Sequence, residues 1–408
     1  MTATTDVATW RERVLEAIER EREHIVEVSE TIRVHPELQY EEFMASQLLA
    51  DQLREAGFEV EKPYKGLETA FCATRKGTAG DGPTVAILAE YDALRGIGHG
   101  CGHNLIGASG LAVAIGIGSV IDEVGGTVII MGTPAEEGGG GKIKLLEQGA
   151  FEGVDAAMMI HHAGNRAGAA MNFPDGTNLA TTGYAFEFFG KPAHAAADPY
   201  NGVNALNAVI ETFNGVNALR QHITMDARIH GIVTHGGEAV NVVPPYARCQ
   251  FGVRSANSDY LEELAAKVVK IAEGAAMITG CELKVTERDT PYAERRPSYV
   301  LGRKYEANME TVGLDMSRPQ RGRTWASTDF GNVSHHVPSV TGSFAISTEP
   351  IPGHSQQVVD ASGSEYGYDQ FIKVSKAMAL TTLDILTDPE LGKQAWDEQK
   401  NWLKLYGG

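Results

Sequence analysis

Thr84-Val-Ala-Ile-Leu-Ala89 is a near-continuous apolar run, and Glu90-Tyr91-Asp92 follows it directly. Such a run reads as a β-strand covered on both faces, the mark of a parallel sheet. Two further buried strands follow, Thr127-Val-Ile-Ile-Met131 and Ala156-Ala-Met-Met-Ile160. Leu105 to Ile121, rich in Gly and Ala, reads as a closely packed helix, and Lys142 to Gly149 as a short one. Upstream, Val14, Ile18, Ile25, Val28 and Ile32 recur at helical spacing from Trp10 to Val34. Met44 to Ala56 forms another helix, with Gly57 just beyond its end. Strands alternating with helices predict an α/β domain with a mainly parallel sheet.

The pattern changes near Thr181. Tyr184–Phe189, Ile229–Thr234 and the alternating Ala247, Cys249, Phe251 and Val253 read as half-buried strands. Val203 to Ile223 reads as an amphipathic helix. Asp259 with Glu262 reads as a capping box opening a helix that runs to about Ile278, with Gly280 past its end. The order strand, helix, strand, strand, helix, strand predicts an inserted antiparallel α+β module of ferredoxin-like type. The expected division is 1–180 with 291–408 as one domain and 181–290 as the other, the chain closing in a helix from Asp369 to Thr387.

Composition narrows the function. Lys and Arg total 35 against 53 Asp and Glu over 408 residues, a formal charge of −18. That balance argues against nucleic acid and against an anionic membrane surface. The apolar runs are broken well before 18 residues, so no membrane span is expected. The N-terminal stretch lacks the apolar segment of a secretory signal. Cys72, Cys101, Cys249 and Cys281 are far apart with no CxxC pair, which reads as a reducing compartment. A cytoplasmic protein is the expectation.

Four clusters carry candidate chemistry, three of them expected just after strands, where open α/β sheets gather ligands. The first is Glu90-Tyr91-Asp92 with Gly98-His99-Gly100-Cys101-Gly102-His103-Asn104. A thiolate and an imidazole on one glycine-flanked loop suit a transition metal, although CGH alone is more often a buried Cys beside a surface His. The second is Glu136-Glu137 ahead of Gly138 to Gly141. Adjacent carboxylates repel unless a cation or proton intervenes, so the pair suits one metal donor and one general base; alone it is usually a solvated turn. The third is His161-His162, where neighbours on an extended chain point opposite ways and only one is expected to bind. The fourth is the loop residue His354. Together these exceed the needs of one zinc ion, and two ions are expected.

In this order the motifs resemble the M20 family of metallopeptidases and amidohydrolases. The resemblance runs from His35-Pro-Glu-Leu-Gln-Tyr-Glu-Glu42 through AEYDAL (89–94), GHGCGHN (98–104), GKPAHAA (190–196) and NVVP (241–244) to the late GHS (353–355). It is most like the branch of aminobenzoyl-glutamate hydrolase and the β-alanyl-lysine-type dipeptidases. The resemblance implies two divalent ions per subunit (Zn²⁺ or Mn²⁺, with Co²⁺ as an alternative), held by Cys101, His103, Glu137, His161 and His354. It implies Glu136 as general base and Asp92 as the acid that orients a metal donor. It implies His194 as an oxyanion donor reaching the partner's site, Asn241 and Arg254 as substrate-binding residues, and residues 181–290 as a lid through which a homodimer forms. The substrate implied is a small amide with a free carboxylate: an N-acyl-amino acid, a dipeptide or an aminobenzoyl-glutamate-like compound. At position 90, where many members carry a metal-binding His, this chain has Glu. Two other readings are a non-catalytic binding or regulatory protein on the same fold, and a single structural zinc.

Overall fold

The computed structural model describes residues 3–169, 178–320 and 324–406. Its strands are β1 Glu59–Glu61, β2 Phe71–Lys76, β3 Thr84–Ala89, β4 Thr127–Gly132, β5 Ala156–His162, β6 Ala180–Phe189, β7 Arg228–His235, β8 Tyr246–Ser255, β9 Glu282–Tyr292 and β10 Ser339–Phe344. By contacts the chain divides into two compact units. The first holds residues 1–177, 295–323 and 332–408, and the second holds 178–294 with 324–331.

The first unit is built on a six-stranded sheet in the order β1-β2-β4-β3-β5-β10. β4, β3, β5 and β10 run parallel, and β1 and β2 close one side antiparallel. Val85 to Ala89 are all fully buried, as the apolar run requires. The helix His103–Gly118 is buried along nearly its whole length. It packs against Arg22–Val34 and against Glu365–Thr387, and its many Gly and Ala residues permit that close approach. Because these four strands are parallel, the segments that leave their carboxyl ends emerge on the same side of the sheet.

The second unit is a four-stranded antiparallel sheet in the order β7-β8-β6-β9. Helices Ala205–Leu219 and Ser258–Thr279 supply Val209, Val216, Leu264 and Val268 to a core shared with Phe186, Phe188 and Phe251. β8 alternates strictly between buried and half-buried positions, so one face of the sheet is apolar and the other is not.

Some local expectations change. The single helical stretch Trp10–Val34 is two helices, Ala3–Arg20 and Arg22–Val34, with Glu21 as the break. The helix at 258–279 is capped by Asn257, whose side chain accepts from Tyr260 N at 3.0 Å, so Asp259 and Glu262 form no capping box. The chain does not end in the helix over 369–387. That helix spans Glu365–Thr387, and Pro389–Lys400 and Trp402–Tyr406 follow it. Among the described residues no helix is long and apolar enough to cross a membrane.

Candidate metal centre

The chain leaves β3 at Ala89 and places Glu90, Tyr91 and Asp92 in full burial. Ten residues on, Gly102 adopts φ +70, and a Cβ there would stand 3.0 Å from the His162 ring. The left-handed turn that Gly allows starts the helix at His103, so the imidazole faces back toward Asp92. Asp92 receives His103 Nδ1 at 2.9 Å on its backbone oxygen and at 3.0 Å on Oδ1. Its other oxygen, Oδ2, accepts the Glu137 N–H at 2.9 Å. One buried carboxylate thus fixes both a ring and the backbone of the acidic pair.

β4 delivers that pair. Ala135 is held at φ +60, and its N–H donates at 2.8 Å to Oε1 of the fully buried Glu42. A Cβ on Gly141 would lie 1.8 Å from the Pro134 carbonyl oxygen, so only Gly lets the chain double back here. The result sets Glu136 and Glu137 near His103, with one donor atom from each residue within 4.8 Å of the others.

His161 and His162 are the last residues of β5 itself rather than the start of a following loop. Their side chains diverge in role. His161 Nε2 lies 3.6 Å from Cys101 Sγ, while its Nδ1 is 2.8 Å from the His162 carbonyl oxygen. His161 joins Cys101 and His103 in one cluster of donors, whereas His162 belongs to none among the described residues. His354, on an exposed loop at φ +51, brings Nε2 to 3.8 Å from Glu137 Oε2 and clusters with Cys101 and Glu137.

The donor set fits divalent transition-metal ions. Thiolate, imidazole and carboxylate are the ligands of zinc and its neighbours. Two donors on one tetrahedral ion, bonded at about 2.0–2.3 Å, stand about 3.3–3.7 Å apart, and the Cys101–His161 separation falls in that window. Buried His103 Nε2 and Glu137 Oε1 face each other at 4.0 Å and neither makes a hydrogen bond. Buried polar atoms left unsatisfied are costly, and a cation would satisfy both.

Electrostatics agrees. Burial pushes the Cys101 thiol above its ordinary pKa, an effect that nearby His103 only partly offsets. A Cys101 thiolate would therefore need a cation beside it. Burial works against charge on His103, but the Asp92 carboxylate outweighs it and raises the imidazole well above its usual value. Asp92 feels burial first and the His103 charge against it, and ends below the usual carboxylate range. Burial and the neighbouring His103 hold His99 down to about 4, and neither of its ring nitrogens makes a hydrogen bond.

The remaining sequence candidates lie in the second unit. His194 is exposed, and its Nδ1 accepts the N–H groups of Ala196 and Ala197 at 3.2 and 3.1 Å. Asn241 lies beside that turn, its carbonyl accepting Ala195 N–H at 3.0 Å, so these two residues are neighbours. Arg254, on β8, is tied elsewhere: Nη1 donates to the Trp325 carbonyl at 3.0 Å and to Ser327 Oγ at 3.3 Å.

The structure adds two residues that the sequence pattern does not single out. Lys142 is fully buried and lies 2.5 Å from Glu90. Its one signal in the sequence is a lysine directly after the acidic pair and its glycines, at the start of an apolar helix. Glu42, the last residue of the stretch 35–42, carries no mark that sets it apart from Glu41 beside it.

A model of the peptidase dimerisation domain matches residues 180–278. The Xaa-Arg dipeptidase of Mus musculus is 34% identical over 403 residues, spanning 95% of this chain and 92% of its own. A subunit of the p-aminobenzoyl-glutamate hydrolase of Escherichia coli K12 is 30% identical over 467 residues, spanning 94% of each. A crystal structure from Bacillus subtilis, described as a dinuclear metal binding peptidase from the M20 family, superposes with a TM-score of 0.65 at 18% identity. The overlap covers 89% of this chain and 99% of that one. A mainly parallel sheet carrying the donors, a separate antiparallel unit matching the dimerisation model, and relatives alike over nearly the full length establish that the chain belongs to the M20 family of peptidases and amidohydrolases.

Proposed function

We propose that the protein is a metal-dependent hydrolase of an amide bond in a small substrate with a free carboxylate: an N-acyl-amino acid, a dipeptide or an aminobenzoyl-glutamate-like compound. The observation that carries this reading is the convergence of Cys101, His103, Glu137, His161 and His354 with Glu136 at their side. The substrate class is supported by the names of the dipeptidase and aminobenzoyl-glutamate hydrolase relatives.

In this reading those five residues hold two divalent ions, Zn²⁺ or Mn²⁺, with Co²⁺ as a substitute. Bound there, such ions lower the pKa of a water from 15.7 toward about 7 and polarise a carbonyl. Glu137 would contribute to holding the ions, with Oε1 turned to His103 and Oε2 to His354. Asp92 keeps the His103 proton on Nδ1 and leaves Nε2 as the donor, the usual arrangement for a metal-bound imidazole. Glu136 takes the proton of the attacking water and returns it to the departing amine, a role worth about 10²–10⁴-fold. His194 donates to the developing oxyanion from a second copy of the chain. Asn241 and Arg254 hold the substrate's carboxylate or carbonyl oxygen. The second unit is the lid and the dimerisation surface of a homodimer.

The deciding experiment is Glu136→Gln, assayed on a panel of N-acyl-amino acids and dipeptides. It is expected to keep its metal, by elemental analysis, while kcat falls at least about a hundredfold. Wild-type turnover in that variant would remove Glu136 from the mechanism.

A further inference from the structure

Glu90 and Lys142 are both fully buried, with Oε1 and Nζ 2.5 Å apart. A buried ion pair is costly to build and is often replaceable by apolar residues, so its position has to be explained. The explanation lies in the second oxygen. Glu90 Oε2 stands 3.4 Å from His103 Nε2, and neither atom makes a hydrogen bond. The other ring nitrogen of His103 faces two oxygens of Asp92 and therefore carries a proton. Nε2, the nitrogen left to bind a metal, faces a carboxylate oxygen. The contact is held either by a proton on Nε2 or by a cation between the two atoms. At 3.4 Å they are too far apart for a good N–H···O bond, yet at the spacing of two donors on one tetrahedral ion, about 3.3–3.4 Å.

We infer that Glu90 Oε2 is a further metal donor, sharing an ion with His103 Nε2, and that Lys142 is the positioning residue that holds it there. Lys142 occupies Oε1 and so leaves Oε2 turned to the ion. Its ammonium also settles the charge of the centre. Glu90, Asp92, Glu136, Glu137 and the Cys101 thiolate together carry the negative charge that two divalent ions and one ammonium cancel. The inference rests on the two-ion reading above and adds to it one donor and one cation.

The test is titration of metal-free, full-length protein with Co²⁺, following stoichiometry, affinity and the d–d absorption spectrum. The key variant is Glu90→Leu with Lys142→Met, which removes the two charges together; a thermal melt checks that it folds. We expect wild type to bind two ions. The double variant is expected to bind one of them at least about tenfold more weakly, with a changed spectrum. Lys142→Met alone keeps the donor but loses its clamp, and a smaller loss on that same ion is expected. If wild type takes up two ions and the double variant does so with the same affinity and spectrum, Glu90 and Lys142 are only a structural pair. Unchanged binding in Lys142→Met alone would remove the positioning role. A wild type that takes up fewer than two ions would instead overturn the two-ion reading itself, and this assignment with it.

Discussion

Glu42 shows what a single buried acid contributes to the centre. Its Oε1 holds the N–H of Ala135, a non-glycine residue at positive φ one position ahead of Glu136. Burial, and then the Asp92 charge, raise its carboxyl to about 7. An unfolded glutamate titrates near about 4.3. Between those values the folded protein keeps a proton that the unfolded chain has lost, so stability falls as pH rises through that window. Glu42→Gln never ionises and its amide oxygen can still accept from Ala135. Relative to wild type, the metal-free variant is expected to gain on the order of 3–4 kcal/mol at pH 8 and almost nothing at pH 4. Denaturant unfolding at the two pH values checks this; an equal difference at both would mean that the carboxyl is not titrating in that window. The stretch 35–42 therefore matters through contacts its spacing does not announce. Glu37 also reaches out of it, accepting Met44 N and Ala45 N at 2.8 Å each.

Elements with a strong apolar period are legible in the sequence, and those held together by small polar residues are not. β3, β4 and β5 each carry a continuous apolar run that reads as buried strand. β10 is Ser-Val-Thr-Gly-Ser-Phe, equally buried but without such a run, and nothing in its pattern marks it as a strand. Its place is set by neighbours: a Cβ on Gly342 would crowd the Tyr305 hydroxyl, a constraint that exists only after folding. The helix Tyr299–Thr311, which carries Tyr305, is equally hard to read. The donor clusters are legible because metal chemistry restricts the residue types to Cys, His and acids. The choice between His161 and His162 is not, since it depends on which ring faces Cys101. Capping misleads for a local reason: Asp259 and Glu262 match the pattern, but Asn257 is two residues closer to the turn and makes the bond. Asn257→Ala is expected to cost about 1 kcal/mol of stability, whereas Asp259→Ala, inside the first turn, is expected to cost less than half that. Equal losses in denaturant unfolding would reinstate the capping box.

For the whole molecule, residues 180–278 match the peptidase dimerisation domain, and the exposed His194 belongs to that unit. The expected state is a homodimer whose activity needs His194. Light scattering should report twice the chain mass of 43.8 kDa. His194→Ala should leave that mass unchanged while kcat falls about a hundredfold, the usual loss for an oxyanion donor. A fully active monomer would overturn the cross-subunit role. The division into two units also has a temporal side. The second unit lies in sequence between most of the proposed donors, Cys101 to His161, and the last one, His354. During synthesis the ribosome must make the whole intervening unit before the final imidazole exists. A nascent chain would carry the first proposed donors early, and the proposed set would be complete only once residue 354 is made. A stop ahead of codon 354 would release a chain that lacks one of the proposed donors.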